Sequence, residues 1–402
     1  MTTGIIEYIS PAWIKPLFER LLKIRSMRKF DLDRIGKLFG DPTELAQYYI
    51  QPHCQNINPA DENEDDPISV VTSPIFETIN KFLNGNYAHR GDGRSQMFVL
   101  ADAGMGKTSL LLMLKLAHLT SFWPKDYECQ ILKLGESSIR DIAAISAPSR
   151  TVLLLDALDE DQSAWGNIRN RIIEILQHTS TFKRVILTCR TQFFPNEEVD
   201  PFKRIGKIKV GGFVCPMVFL SPFNDELVMD YLNRRFTSED ERQKALCLIY
   251  SMGSLRFRPL LLSYIDAFLD SSKQVWSEYD IFFALINAWL MREENKLTQL
   301  GKNIYYNDLL MSCLCIAKIM HLNSGRTVNR IDFLRYKEEY QELNNLEEID
   351  FGGRSLLNKN SDGDYRFAHY SIQEFLVSYG VINRLYNIPN ESLWITAKLA
   401  EF

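Results

Sequence analysis

Between an apolar run, Met97–Leu100, and a helix-like stretch, Thr108–Leu119, the chain reads A-D-A-G-M-G-K-T over Ala101–Thr108. Small residues let successive backbone N–H groups close around an anion. The helix that follows adds the partial positive charge of its N-terminus. A strand, a small-residue loop and a helix in that order specify a phosphate-binding unit in an α/β sheet. The cradle comprises Ala103, Gly104, Met105, Gly106 and Ser109. Lys107 would reach the β- and γ-phosphates of ATP, and the Thr108 hydroxyl would ligate Mg²⁺. ADP would use the same cradle.

A second apolar run ends in L-L-L-D-A-L-D-E, Leu153–Glu160. Asp156 is placed to hold Mg²⁺, directly or through water, beside Thr108 at the carboxyl edge of a sheet. Asp159 and Glu160 then offer a carboxylate to orient or deprotonate an attacking water, and the spacing does not choose between them. A third run ends in V-I-L-T-C-R, which brings Arg190 to the same edge. A guanidinium there can sense a γ-phosphate through charge-assisted hydrogen bonds.

Strands are expected at Met97–Leu100, Val152–Leu155, Val185–Leu187 and Met217–Leu220, with helices over Thr108–Leu119 and Trp165–His178. Short continuous apolar runs separated by helices imply a parallel sheet covered on both faces. After Pro222 the pattern becomes helical: Asn224–Phe236, Glu239–Ser251, Pro259–Leu269, Glu278–Lys296 and Asn307–His321. A hairpin-like piece around Asp362-Gly363 precedes a last helix, Ile372–Arg384. Residues 11–30 read as a basic amphipathic helix, with Ile14, Leu17, Phe18 and Leu21 on one face. Its two readings are a helix packed on its own domain and a helix for a membrane surface or a partner. The acidic run Asp61–Asp66, closed by Pro67, reads as a solvated linker and a boundary.

With 46% hydrophobic and 24% charged residues, the 402-residue chain has material for several cores. A net charge of -5 argues against a broad nucleic-acid-binding surface. Seven cysteines with no C-x-x-C pair indicate a reducing, cytoplasmic setting. The first residues lack a secretory layout, and no apolar stretch is long enough to span a bilayer.

Taken together, A-D-A-G-M-G-K-T, L-L-L-D-A-L-D-E, T-C-R, F-L-S-P-F-N-D-E, R-F-R-P-L-L-L-S-Y and Y-R-F-A-H-Y-S-I-Q-E-F-L follow one family's order. From about Tyr49 onward the chain resembles the NACHT-type ATPases of the STAND signalling class, which includes NOD-like receptors and bacterial defence proteins. The resemblance implies an N-terminal effector segment and linker over 1–67 and a nucleotide-binding domain over 68–221. A helical domain over 222–275, a winged-helix domain over 276–386 and a tail over 387–402 follow, the tail being where the family's sensor would begin. Pro259 would pack near the base. His369, a lone histidine beside Phe367 and Tyr370, reads by itself as semi-buried; the resemblance makes it a contact to the β-phosphate of ADP. Ala101 stands where the common phosphate-loop form has glycine, and Ala157 where the family form has it. The implied activity is slow ATP hydrolysis used as a switch: ADP holds the domains closed, and ATP opens the chain to self-association on an unknown trigger. Antiphage defence is the association carried by bacterial relatives. The alternatives are a constitutive P-loop ATPase driving remodelling and a scaffold that binds nucleotide without hydrolysis.

Overall fold

The computed structural model describes residues 42–59, 71–85, 92–119, 126–164, 167–194, 206–269, 276–299, 301–323, 325–344, 356–359, 364–367 and 370–385, together with 29, 31, 32, 399 and 402. Eight strands form one sheet: β1 (His53–Gln55), β2 (Ser73–Pro74), β3 (Gln96–Ala101), β4 (Glu128–Lys133), β5 (Thr151–Asp156), β6 (Arg184–Arg190), β7 (Lys207–Val210) and β8 (Phe213–Leu220). Their order is β2-β1-β8-β3-β6-β5-β4, with β7 on β8. The run from β8 to β4 is parallel. β1, β2 and β7 join it antiparallel. The protein thus has an α/β P-loop fold, with a mostly parallel sheet followed by helices.

The apolar runs are continuous because the central strands are covered on both faces. Every residue of β3, β5 and β6 is buried. Alternate side chains serve opposite layers. Phe98 and Leu100 pack with Leu153, Leu155 and Ile172. Met97 and Val99 pack on the other face with Leu110, Leu154 and Ile186. The order also sets the chemistry. β6 lies between the phosphate-loop strand and the acidic strand, and Ala101 is the register partner of Arg190.

The four expected strands are present and somewhat longer than expected, β8 by four residues at its start. β4 is an addition. Its E-C-Q-I-L-K sequence buries only Cys129 and Ile131, as an edge strand with one covered face does. β1 is a correction to the reading of 1–67 as a separate segment. His53–Gln55 pairs with β8, so the sheet begins before the acidic run. Asp31 also reaches this unit, accepting from the buried Lys115 Nζ at 2.6 Å. The rest of the 11–30 segment, apart from Lys29, and the acidic run itself lie outside the described residues.

Among the described residues after β8, helices predominate. Asp225–Arg235 starts on Asn224, whose side chain accepts from the Leu227 N–H at 2.9 Å. Glu239–Ser251 stands as expected. Pro259–Leu269 is two helices, Pro259–Leu262 and Ile265–Leu269. Ser263 donates its hydroxyl to the Leu260 carbonyl at 2.6 Å, a local bond that competes with helix continuation. Glu278–Gln299 and Tyr306–Leu322 follow, then Arg330–Glu339, which the periodicity did not reveal. An antiparallel pair, β9 (Leu357–Lys359) and β10 (Tyr365–Phe367), precedes Tyr370–Ile382. The turn Asp362-Gly363 is outside the described residues. Regions expected to be separate, 222–275 and 276–386, share one apolar core from Phe223 to Val377, and Ala103 of the phosphate loop belongs to it. Among the described residues, no helix is long and apolar enough to cross a membrane.

Candidate nucleotide site

The phosphate loop turns on two glycines in the left-handed region, Gly104 (φ 76°) and Gly106 (φ 83°). Both need glycine for that backbone. Gly104 needs it for space as well, since a Cβ there would sit 3.0 Å from Leu260 Cβ. Ala101 ends β3 and makes no such demand, so alanine serves where the common phosphate-loop form has glycine. Lys107 begins the next helix and donates Nζ–H bonds to the Ala101 carbonyl at 2.8 Å and the Asp102 carbonyl at 2.9 Å. Burial lowers its ammonium from the ordinary lysine value to about 8. A charge held at that cost, on the floor of a cradle of N–H groups, suits an anionic partner.

Thr108 donates its hydroxyl to Asp156 Oδ2 at 2.8 Å, and Thr188 donates to Oδ1 at 2.7 Å. Burial raises the Asp156 carboxyl, against the pull of these two hydrogen bonds. A hydroxyl and a carboxylate side by side at the sheet edge are hard oxygen donors of the kind Mg²⁺ takes, so the residues fit that ion. Ala157 follows in the left-handed conformation, φ 59° and ψ 54°. Non-glycine residues there cost about 1–2 kcal/mol, and β-branched ones are outliers. Ala157→Val should therefore lose about 1–3 kcal/mol in urea unfolding, while Ala157→Gly stays within about 1 kcal/mol of the parent. Equal stability of the valine variant would mean that this turn relaxes freely.

Arg190 leaves β6 into a buried ion network. Its Nε meets Asp159 Oδ2 at 2.8 Å, its backbone N–H donates to Asp159 Oδ1 at 3.0 Å, and a terminal nitrogen lies 3.0 Å from Glu293 Oε2. Burial opposes the guanidinium's charge, but Glu293 and Asp159 outweigh it and hold the group above the usual arginine value. Burial likewise works against Glu160, yet Lys296 and Lys133 keep its carboxyl well below the usual carboxylate range. Lys133 Nζ is 3.0 Å from Glu160 Oε2, and Lys296 donates to Oε1. Glu293 and Lys296 both belong to Glu278–Gln299, three residues apart and hence on one face.

The loop is also gripped from above. The Leu260 N–H donates to the Gly104 carbonyl at 3.1 Å. Arg258 reaches the Ala103 carbonyl at 3.3 Å and Asp102 Oδ2 at 3.5 Å, its guanidinium 5.8 Å from the Trp289 ring centre. Between these layers lies a cavity of about 470 Å³. Ala103, Gly104, Met105, Gly106, Lys107, Thr108, Ser109, Asp156, Asp159, Glu160, Arg190 and Pro259 all border it. His369 lies outside the described residues. The sequence reading missed the cavity's other wall: Tyr48, Tyr49 and Ile50 before β1, and Arg292 and Lys296 from the long helix. Arg235 and Asp266, paired at 2.8 Å with Arg235 4.2 Å from the Tyr48 ring centre, border it too. Glu293 and Lys296 carried the one available signal, opposite charges at helical spacing in R-E-E-N-K.

Solved structures similar to this chain include a Walker-type ATPase of Pyrococcus abyssi, 12% identical, covering 70% of this chain and 91% of that chain, with a TM-score of 0.39. RuvB of Thermotoga maritima is 13% identical, with 78% and 94% covered and a TM-score of 0.34. Cdc6p of Pyrobaculum aerophilum is 14% identical, with 77% and 93% covered and a TM-score of 0.27. No family model and no curated protein matches the chain.

Proposed function

We propose that this protein binds ATP and ADP as a NACHT-type STAND ATPase and works as a nucleotide-controlled switch, with antiphage defence as its setting by family association. One observation carries the reading. The groups expected to act on a γ-phosphate, Arg190 and Glu160, are engaged by Glu293 and Lys296 of a helix well beyond the sheet. A switch needs a closed arrangement that withholds its catalytic groups, and pairing with a later helix supplies one. In this reading Lys107 and the loop N–H groups bind phosphates, and Thr108 and Asp156 hold Mg²⁺, which neutralises charge on the transferred group. Asp159 or Glu160 then orients water once freed. Pro259 packs beside the nucleotide, and His369 ties the last helical region to ADP. Opening on ATP exposes surface for self-association.

The test is the nucleotide carried through purification together with particle size. ADP near one per chain, with larger particles by light scattering only after exchange into ATP, is the expected result. Fast basal hydrolysis by a particle of unchanging size would favour the constitutive ATPase instead. ATP binding without any turnover would favour the scaffold.

A further inference from the structure

The partner of Arg190 has a consequence beyond the closed state itself. Asp159 occupies the Nε side of the guanidinium, and Glu293 presents both carboxylate oxygens to a terminal nitrogen, at 3.0 and 3.3 Å. Glu293 is fully buried, and Arg190 and Asp159 are nearly so. Arg190 borders the cavity together with Lys107, Thr108 and Asp156. A γ-phosphate recognised by Arg190 would need guanidinium N–H groups with the same planar, bidentate chemistry that a carboxylate uses. The two anions compete for one cation, and close together they also repel each other.

We infer that Glu293 is a built-in stand-in for the γ-phosphate, and is the residue that makes the closed arrangement prefer a nucleoside diphosphate over a triphosphate. The inference rests on the nucleotide-site reading above and adds to it the residue that discriminates between the two ligands. With a diphosphate, Arg190 keeps Glu293 as its counter-charge and the helix Glu278–Gln299 stays docked. A triphosphate supplies the counter-charge itself, so Glu293 is left with Arg292 of its own helix, 3.3 Å away, and the helix loses its hold on β6 through Arg190. Lys296, three residues on, loosens with it and leaves Glu160, which already borders the cavity, to Lys133. A small fractional change in ligand thereby becomes a displacement of a whole helix, because each nucleotide favours a different arrangement.

Glu293→Gln keeps the shape and removes the charge. We would titrate the parent and this variant with fluorescent ADP and ATP analogues in the presence of Mg²⁺ and compare the ratio of affinities. The ratio should move toward ATP by about tenfold or more, since a ligand shifts the equilibrium only by its difference in affinity for the two states. Most of the change should lie in tighter ATP binding, with ADP affinity within about threefold of the parent. If Glu293→Gln does not fold, Glu293→Asp, which keeps the charge and withdraws it by one methylene, should shift the ratio in the same direction. A ratio within about twofold of the parent in a folded variant overturns the inference while leaving the nucleotide site intact. A parent that binds neither nucleotide overturns both.

Discussion

Replacing Arg190 with alanine should cost the fold about 3–5 kcal/mol, the usual penalty for removing one member of a buried ion pair. The loss is large because two carboxylates depend on it. Asp159 and Glu293 are 3% and 0% exposed, and both converge on the same guanidinium. Without it Asp159 keeps the backbone N–H of residue 190 and Glu293 keeps Arg292 of its own helix, but both lose the charge they share. The effect should depend on pH in a definite sense. Buried carboxylates that lose a counter-charge bind protons earlier as pH falls. In the variant the folded state therefore takes up protons that the parent's does not, so the stability gap should be widest near neutrality and narrow toward about pH 4–5. Urea unfolding of both proteins across that range reads this directly. A gap below about 1 kcal/mol at neutral pH would mean that solvent reaches the network and screens it.

The second large effect concerns the loop lysine. Lys107→Ala removes the side-chain cation from a cradle that is otherwise backbone, so nucleotide affinity should fall well beyond tenfold while the fold survives. The sign of its pH dependence follows from burial. In the free protein the ammonium loses its proton around pH 8 rather than at the ordinary lysine value. A bound phosphate favours the charged form and raises that value again. Nucleotide affinity should then be level below about pH 8 and drop by up to tenfold per pH unit above it, with one proton taken up on binding. In Lys107→Ala the same interval should be flat. Calorimetry in buffers of different ionisation enthalpy measures the proton uptake. A parent whose affinity and proton count stay constant from about pH 7 to 9.5 would show that Lys107 is already at its ordinary value.

Much of the sheet was legible because its strands are buried on both faces. V-L-L-L-D and V-I-L-T-C-R could hardly be anything else between helical stretches, and β5 and β6 fall on them. The elements that escaped are those with one covered face or few buried residues. β4 shows only two inward side chains, and Arg330–Glu339 buries only Phe333. The strand β1 is three residues long and draws its identity from pairing with β8, more than 150 residues away in the chain.

The site divides along the same line. The glycines at 104 and 106, Lys107, Thr108, Asp156 and Arg190 were readable because a local rule binds each to its position. A left-handed turn, a helix start or a strand end dictates the residue type. Their convergence follows from strand order, with β6 between β3 and β5, which the structure shows. Which groups hold them was not readable. Glu293, Lys296 and Leu260 meet the site only because the later helices share a core with the phosphate loop. Contacts of that kind depend on where two separately folded surfaces come to rest, and no periodicity records that. The residues of the candidate phosphate loop therefore lay in the sequence alone. The restraint on the site was decided by the tertiary structure, because burial turns charges that are distant along the chain into obligatory partners.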